Sequence, residues 1–332
     1  MELDMAAQPA VLASLAGRRD EIIESLAGPT PAGIVIVARG SSDHAGIFGR
    51  YLLEAATGLP VALAAPSLQT LYGVRPRVGA WLAVGISQSG RTPEIATVLE
   101  SYREGGARTV AVTNDPDSPL ARAASVHVPL EAGDELAVPA TKTFTAQLAA
   151  MALIAQALGP VRFEAGDWDR LPGTVEAVLG DTSSAEHVAV QLQGAEELAC
   201  VGRGYLMCVA LEAALKLREA AGLRAEGWSA ADFRHGPLTV AGPALPTLAV
   251  SVAGPAAADV AELAEQLAGG DATVLRMSDD PGASLPFPGG LPEPLAAIPA
   301  TVRAQQLAVA LAQHRGVDPD HPPGLAKVTR TA

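Results

Sequence analysis

The sequence predicts an α/β fold made of two similar halves, each a doubly wound parallel sheet flanked by helices. Three observations predict it. Short continuous apolar runs, such as 34–38 and 81–86, alternate with stretches of helical periodicity. The order of elements restarts after residue 185, so that Arg203-Gly204 echoes Arg39-Gly40 at a distance of 164 positions. Each half also closes on a long apolar helical stretch, 141–158 in one and 298–314 in the other.

The elements follow in order. Residues 5–27 read as one helix, with Leu12, Leu15, Ile22 and Leu26 on a face and Gly28-Pro29 closing it. The run 34–38 is a buried strand that opens through Arg39-Gly40-Ser41-Ser42 into a helix ending near Thr57. Strands at 61–64, 81–86, 109–113 and 125–130 follow, with a helix after the 81–86 strand reaching Glu104. The stretch 141–158 is apolar nearly all round and is expected to be buried in a domain or subunit interface. Residues 161–185, interrupted by Pro and Gly, read as a helical linker. The second half then supplies a strand at 198–202, a helix through Glu212, Lys216 and Glu219, strands at 248–252 and 273–277, and the closing helix. The domains expected are an N-terminal helix over 1–28, a first domain over 29–165, a second over 186–316, and a tail, 317–332, lying over a site.

Bulk properties exclude several function classes. The 332 residues are 49% hydrophobic and 18% charged, enough for two sizeable cores. A net charge of −13 argues against a nucleic-acid partner, which demands clustered Lys and Arg. The acidic N-terminus is unlike a signal peptide, and no run of 18 uninterrupted apolar residues offers a membrane span. Cys200 and Cys208 make neither a disulfide framework nor a zinc site, so a reducing cytoplasm is expected and no metal.

Two stretches carry chemistry. Ser87-Gln88-Ser89-Gly90-Arg91-Thr92-Pro93 lies where a buried strand meets a helix, with Thr92 suited to the N-cap and Pro93 to the first helical position. Hydroxyls, amides and the positive helix end would hold a phosphate there. The spacing is neither that of a Walker A loop nor that of a dinucleotide fingerprint. The second stretch is the helix in which Glu212, Lys216 and Glu219 share one face, with His235 downstream in Phe-Arg-His-Gly-Pro. Read alone, that stripe is an exposed ion pair of about 0.3–0.5 kcal/mol. Lysine, however, occurs only at Lys142, Lys216 and Lys327 in a chain that otherwise uses arginine, and lysine alone of the two can form an imine.

The loop 87–94 resembles the phosphate loop of sugar isomerase (SIS) domains. The stretches 38–46, 113–121, 137–147, 211–219, 233–237 and 325–329 are similar, in the same order, to the isomerase part of glucosamine-6-phosphate synthase, and all three lysines fall within them. The resemblance covers nearly the whole chain and implies two SIS domains in a homodimer with a shared active site. It implies that Ser42, Ser87, Gln88, Ser89 and Thr92 hold the phosphate and adjoining hydroxyls, and that Val138 and Ala326 contact the sugar through the backbone. Glu219 would move the proton between C1 and C2, supported by Glu212 and Lys216. His235 would assist ring opening for the neighbouring subunit, and Lys327 would form an imine with the ketose carbonyl.

The sequence departs from the synthase in three ways. No cysteine precedes Cys200, so the glutaminase route to ammonia is expected to be absent. Asp232-Phe233-Arg234 stands where the synthase carries a Glu-Leu-Lys type sequence, and Pro323-Gly324 where an Arg-containing pair is usual. The tail is similar to that of SIS enzymes that deaminate aminosugar phosphates. The expected activity is therefore conversion of glucosamine 6-phosphate, or a close relative, to fructose 6-phosphate and ammonia, with no cofactor. Another SIS isomerase or a fructosamine phosphate deglycase, and a regulator that binds sugar phosphate without turnover, are the alternatives.

Overall fold

The computed structural model describes residues 1–327, so Val328 and Thr329 of the tail motif lie outside the described residues. The chain opens with three helices, α1 (Glu2–Ala6), α2 (Gln8–Gly17) and α3 (Arg19–Ser25), where the sequence led us to expect one. The first break falls at Ala7, just before Gln8-Pro9, where proline cannot supply a backbone donor. The second falls at Arg18, whose backbone leaves helical geometry after Gly17.

Then follow β1 (Gly33–Val37), α4 (Ser41–Thr57), β2 (Val61–Leu63), α5 (Ser67–Thr70), β3 (Trp81–Ile86), α6 (Pro93–Glu104), β4 (Arg108–Thr113), α7 (Pro119–Ala123), β5 (Val126–Pro129) and α8 (Lys142–Leu158). The strands form a parallel sheet ordered β2-β1-β3-β4-β5. The strand interiors are buried on both faces, which is why 34–38 and 81–86 read as unbroken apolar runs rather than alternating ones. Helix α8 packs against α4 and α3 and is buried through most of its length.

The remainder gives α9 (Ala165–Leu179), α10 (Ser183–Leu192), β6 (Glu197–Gly202), α11 (Met207–Ala221), β7 (Arg224–Ser229), α12 (Ala230–Phe233), β8 (Thr247–Val250), α13 (Ala257–Gly269), β9 (Val274–Ser278), β10 (Leu285–Pro286) and α14 (Glu293–Arg315). The second sheet is again all parallel, ordered β10-β9-β8-β6-β7. Read from β7, it repeats the first sheet strand for strand, so the internal repeat reaches the level of topology.

Two expectations fail here. The stretch 161–185 is no linker, because α9 buries Trp168, Leu171, Val175 and Val178 and packs on α14. The closing helix begins at Glu293 rather than near Ile298, since Pro294 sits in its first turn and Pro299 is carried inside it. Helix α14 is long and apolar enough to cross a membrane, but its apolar window is wholly buried in the protein.

The chain divides into two compact units. The first holds 10–135 and 142–164, joined by Ala326 and Lys327, and the second holds 1–9, 136–141 and 165–325. Each has its own core: Val35, Val37, Ile95, Val98, Leu99 and Leu120 in the first, and Val201, Phe233, Val260, Leu263 and Leu267 in the second.

Candidate functional site

In the first unit the phosphate-loop candidates stand at the carboxyl ends of β1 and β3, the two strands between which the sheet order reverses. That is where open α/β sheets bind ligands. Ser87 begins the turn with its amide bonded to Val112 O at 3.1 Å, which continues the β3–β4 ladder by one residue. Its hydroxyl accepts from Gly90 N at 3.2 Å, and Ser89 Oγ accepts from Arg91 N at 3.2 Å. Gln88 O accepts from Asn114 N at 3.0 Å and from Thr113 Oγ1 at 3.2 Å, so this carbonyl is turned toward β4. Gly90 has φ +61°, and a Cβ there would lie 2.2 Å from Ser118 Oγ, so glycine is required on both counts. Thr92 is the N-cap of α6 and Pro93 its first residue, but the Thr92 hydroxyl makes no capping bond.

Two ion pairs brace this end of the sheet. Arg39 holds the buried Glu94 carboxylate with a two-pronged contact of 3.0 and 3.1 Å. Arg91 meets Asp115 at 2.6 Å, and Asp117 N–H together with Arg91 keeps the Asp115 carboxyl below its usual range. Ser42 lies in the first turn of α4 and accepts a 3.0 Å bond from Gln147 Nε2 on α8. Beside it, burial pushes the Asp43 carboxyl up, against the opposing pull of His44 and Arg39.

Lys327 also belongs to the first unit. Its Nζ lies 3.3 Å from Glu135 Oε2, and Glu135 is fully buried while accepting from the Thr143 amide and hydroxyl at the start of α8. The tail lysine is therefore tied to a helix start rather than left in solvent. Lys142 is different: its Nζ donates to Asp134 O at 2.7 Å and pins the turn before α8. Ala326 is exposed.

In the second unit, α11 brings together the three charged residues read from its periodicity. Lys216 and Glu212 are each 1% exposed and 3.4 Å apart, and Lys216 Nζ also donates to Glu219. Glu219 is the member that reaches solvent, at 20%. The exposed-helix-face reading is thus wrong for Glu212 and Lys216, which are buried in a helix that packs on β7 and α14. One ammonium between two carboxylates leaves a net negative stripe whose outer carboxylate is held in place and accessible. A carboxylate so arranged suits proton transfer.

His235 lies just beyond α12, its amide bonded to Asp232 O at 2.9 Å. It is exposed, and among the described residues its imidazole makes no hydrogen bond or ion pair. Val138 donates its amide to Asp320 O at 3.0 Å, so this backbone donor is engaged by the chain itself. Cys200 and Cys208 are free and buried; burial pushes the Cys200 thiol up to about 12 and Cys208 up as well. A cleft of about 740 Å³ lined by Gln193, Glu196, Arg224 and His314 includes none of the candidate residues. Among the described residues no group of three His, Cys, Asp or Glu side chains could hold a metal ion.

Sequence reasoning missed Glu135 and Gln147. The first offered no signal, being one acid among many. The second did, as an amide in a stretch read as apolar nearly all round and expected to be buried, where it would need a partner.

Comparison with known proteins adds the following. The SIS domain family matches residues 32–157 and 191–286. A glutamine–fructose-6-phosphate aminotransferase (isomerizing) from Gloeobacter violaceus is 34% identical over 312 residues, covering 89% of this chain and 51% of that protein. The chain thus spans about half the length of the curated relatives it matches. Among solved structures, the C-terminal domain of glucosamine-fructose-6-phosphate aminotransferase from Francisella tularensis aligns with a TM-score of 0.86 at 23% identity, covering 96% of this chain and 97% of that one. Glucosamine-6-phosphate deaminase from Thermotoga maritima aligns with a TM-score of 0.76 at 22% identity, covering 97% and 99%. At these identities the two structures speak for the fold.

Proposed function

This chain belongs to the SIS domain family, and from that premise we propose that it is a sugar-phosphate isomerase whose substrate is an aminosugar phosphate. The observation that carries the proposal is the α11 stripe, in which a buried lysine holds an accessible glutamate beside a second buried glutamate. A 1,2-proton shift needs one base able to serve both carbons, and it needs that base oriented.

In this reading the loop 87–92 and Ser42 take the phosphate, and Val138 and Ala326 meet the sugar through the backbone. His235 opens the ring by protonating the ring oxygen. Glu219 removes the C2 proton of the open-chain aminoaldehyde, giving an enolamine, and returns a proton to C1. The product is the C2 imine of fructose 6-phosphate. Water adds to it and ammonia leaves, so that aminosugar phosphate plus water balances ketose phosphate plus ammonia. Lys327, held by Glu135, takes the place of that first water: its amine adds to the imine, ammonia leaves, and water then hydrolyses the lysine imine to release ketose phosphate and free lysine. The exposed imidazole of His235 supports a homodimer in which it serves the neighbouring subunit, and the free buried thiols support a reducing cytoplasmic setting. The name of the 34% identical aminotransferase relative supports the aminosugar substrate.

The test is incubation with a panel of sugar, aminosugar and fructosamine phosphates, with ammonia and ketose phosphate measured together. Glucosamine 6-phosphate should yield both in equal amounts. Isomerisation without ammonia would redirect the assignment to a plain aldose–ketose isomerase. Binding without turnover across the panel would favour a sensor and overturn the proposal.

A further inference from the structure

The second unit contains a crevice equivalent to the phosphate loop, and the chain's own carboxylate occupies it. The correspondence is close. Its sheet order reverses between β6 and β8, as the first reverses between β1 and β3. Arg203-Gly204 follows β6 as Arg39-Gly40 follows β1, and the two glycines share φ values of +58° and +59°. Ser251 N bonds to Met277 O at 3.1 Å, the counterpart of Ser87 N to Val112 O. Arg203 pairs with Asp259 in the first turn of α13 at 3.4 Å, as Arg39 pairs with Glu94 in that of α6.

What differs is the filling. In the first unit a Cβ on Gly40 would meet no atom within 4 Å, and one on Gly90, the counterpart of Gly254, would meet the Ser118 and Thr113 hydroxyls rather than a carboxylate. In the second, a Cβ on Gly204 would lie 3.5 Å from Glu293 Oε1, and one on Gly254 would lie 2.6 Å from Glu293 Oε2. The Glu293 carboxylate, from the first residue of α14, therefore spans the gap between the two turns. The loop keeps the Ser87 hydroxyl as Ser251 but has lost the other polar side chains, with Val252, Ala253 and Ala256 standing where the first unit has Gln88, Ser89 and Thr92. Its Ala253 amide is taken by the Asp279 carboxylate at 3.1 Å.

We infer that Glu293 closes the second crevice to anionic ligands, fixing which of two repeat-related sites can take a phosphate. A bound oxyanion would have to share the crevice with a carboxylate of like charge at the same glycine-lined position. This rests on the proposed function only in naming the first-unit loop as the phosphate site.

The experiment uses the full chain carrying Ser89→Ala and Thr92→Ala, so that the first-unit loop is disabled. Equilibrium dialysis with radiolabelled inorganic phosphate compares Glu293 with E293A and E293S, with folding checked by circular dichroism. The expected result is a gain approaching one bound phosphate per chain at millimolar concentration when residue 293 is truncated. Folded E293A and E293S chains with an unchanged phosphate count overturn the inference. E293S, which keeps a polar residue in the first turn of α14, serves if E293A does not fold. The intact-loop chain compared with the loop variant tests the proposed phosphate site separately, because that comparison leaves Glu293 in place.

Discussion

Lys216→Met strips the buried ammonium from between Glu212 and Glu219. Lys216 and Glu212 are both 1% exposed and Nζ lies 3.4 Å from the Glu212 carboxylate, so solvent screens little of what is lost. Breaking a buried pair by removing one partner costs about 3–5 kcal/mol, because a charge stays in low dielectric without its counterion. With roughly 2–4 °C of melting temperature per kcal/mol in a domain of this size, the second unit should melt on the order of 10 °C lower. Adding Glu212→Gln removes the stranded charge. The double variant should therefore recover much of the loss, with a coupling of about 1–3 kcal/mol in the double-mutant cycle. Turnover should stay abolished in both, since Glu219 has lost the group that holds it. Thermal and urea unfolding give the stabilities, and the ammonia assay gives the rates. If Lys216→Met melted within a degree of the parent, or the two substitutions added without coupling, the buried stripe would not be the interacting unit described above.

Other expectations follow from single residues. Gly90→Ala places a Cβ at φ +61° against Ser118, so it should cost about 1–2 kcal/mol from the backbone alone and weaken phosphate binding more than it lowers stability; calorimetric titration with sugar phosphate checks this. His127 accepts burial in β5 with its ring on Thr113 O, and desolvation lowers its pKa below 6.5. The unfolded chain then binds the extra proton first, so this stabilising contribution is complete above pH 6.5 and is lost as pH falls through the folded value. Melting curves from pH 7.5 to 5 should show that loss, and His127→Gln should flatten it. Lys327→Arg keeps a cation opposite Glu135 but cannot form an imine, so ammonia release should fall at least a hundredfold while stability holds; borohydride trapping of the ketose phosphate should also disappear.

How much of this was legible in the sequence depends on the physics of each stretch. Trp81–Ile86 and the start at Pro93 were legible to the residue, because a strand buried on both faces must be apolar throughout and Thr-Pro marks a helix start. The partners of the α11 charges were legible from helical spacing, but their burial was not, since it depends on β7 and α14 arriving from elsewhere in the chain. β7 itself was missed: Arg224–Ser229 is an edge strand with a mixed burial pattern and no apolar run to announce it. α9 was misread because Pro172 looked like a breaker, although Trp168, Leu171, Val175 and Val178 already stood at helical spacing. Glu135 was invisible because its role is to meet Thr143 and Lys327, the latter 192 positions away. Glu293 was hidden for the same reason, as its meaning lies in the glycines it faces.

The central claim is that Glu219 carries a proton between adjacent carbons of a sugar phosphate. Proton NMR of the reaction in deuterium oxide tests it most directly, comparing the parent with Glu219→Gln on glucosamine 6-phosphate and fructose 6-phosphate. The parent should place solvent deuterium at C1 of the ketose, whereas Glu219→Gln should place none and still bind the phosphate with parental affinity. Deuterium entering or ketose forming at the parental rate in Glu219→Gln would contradict the account.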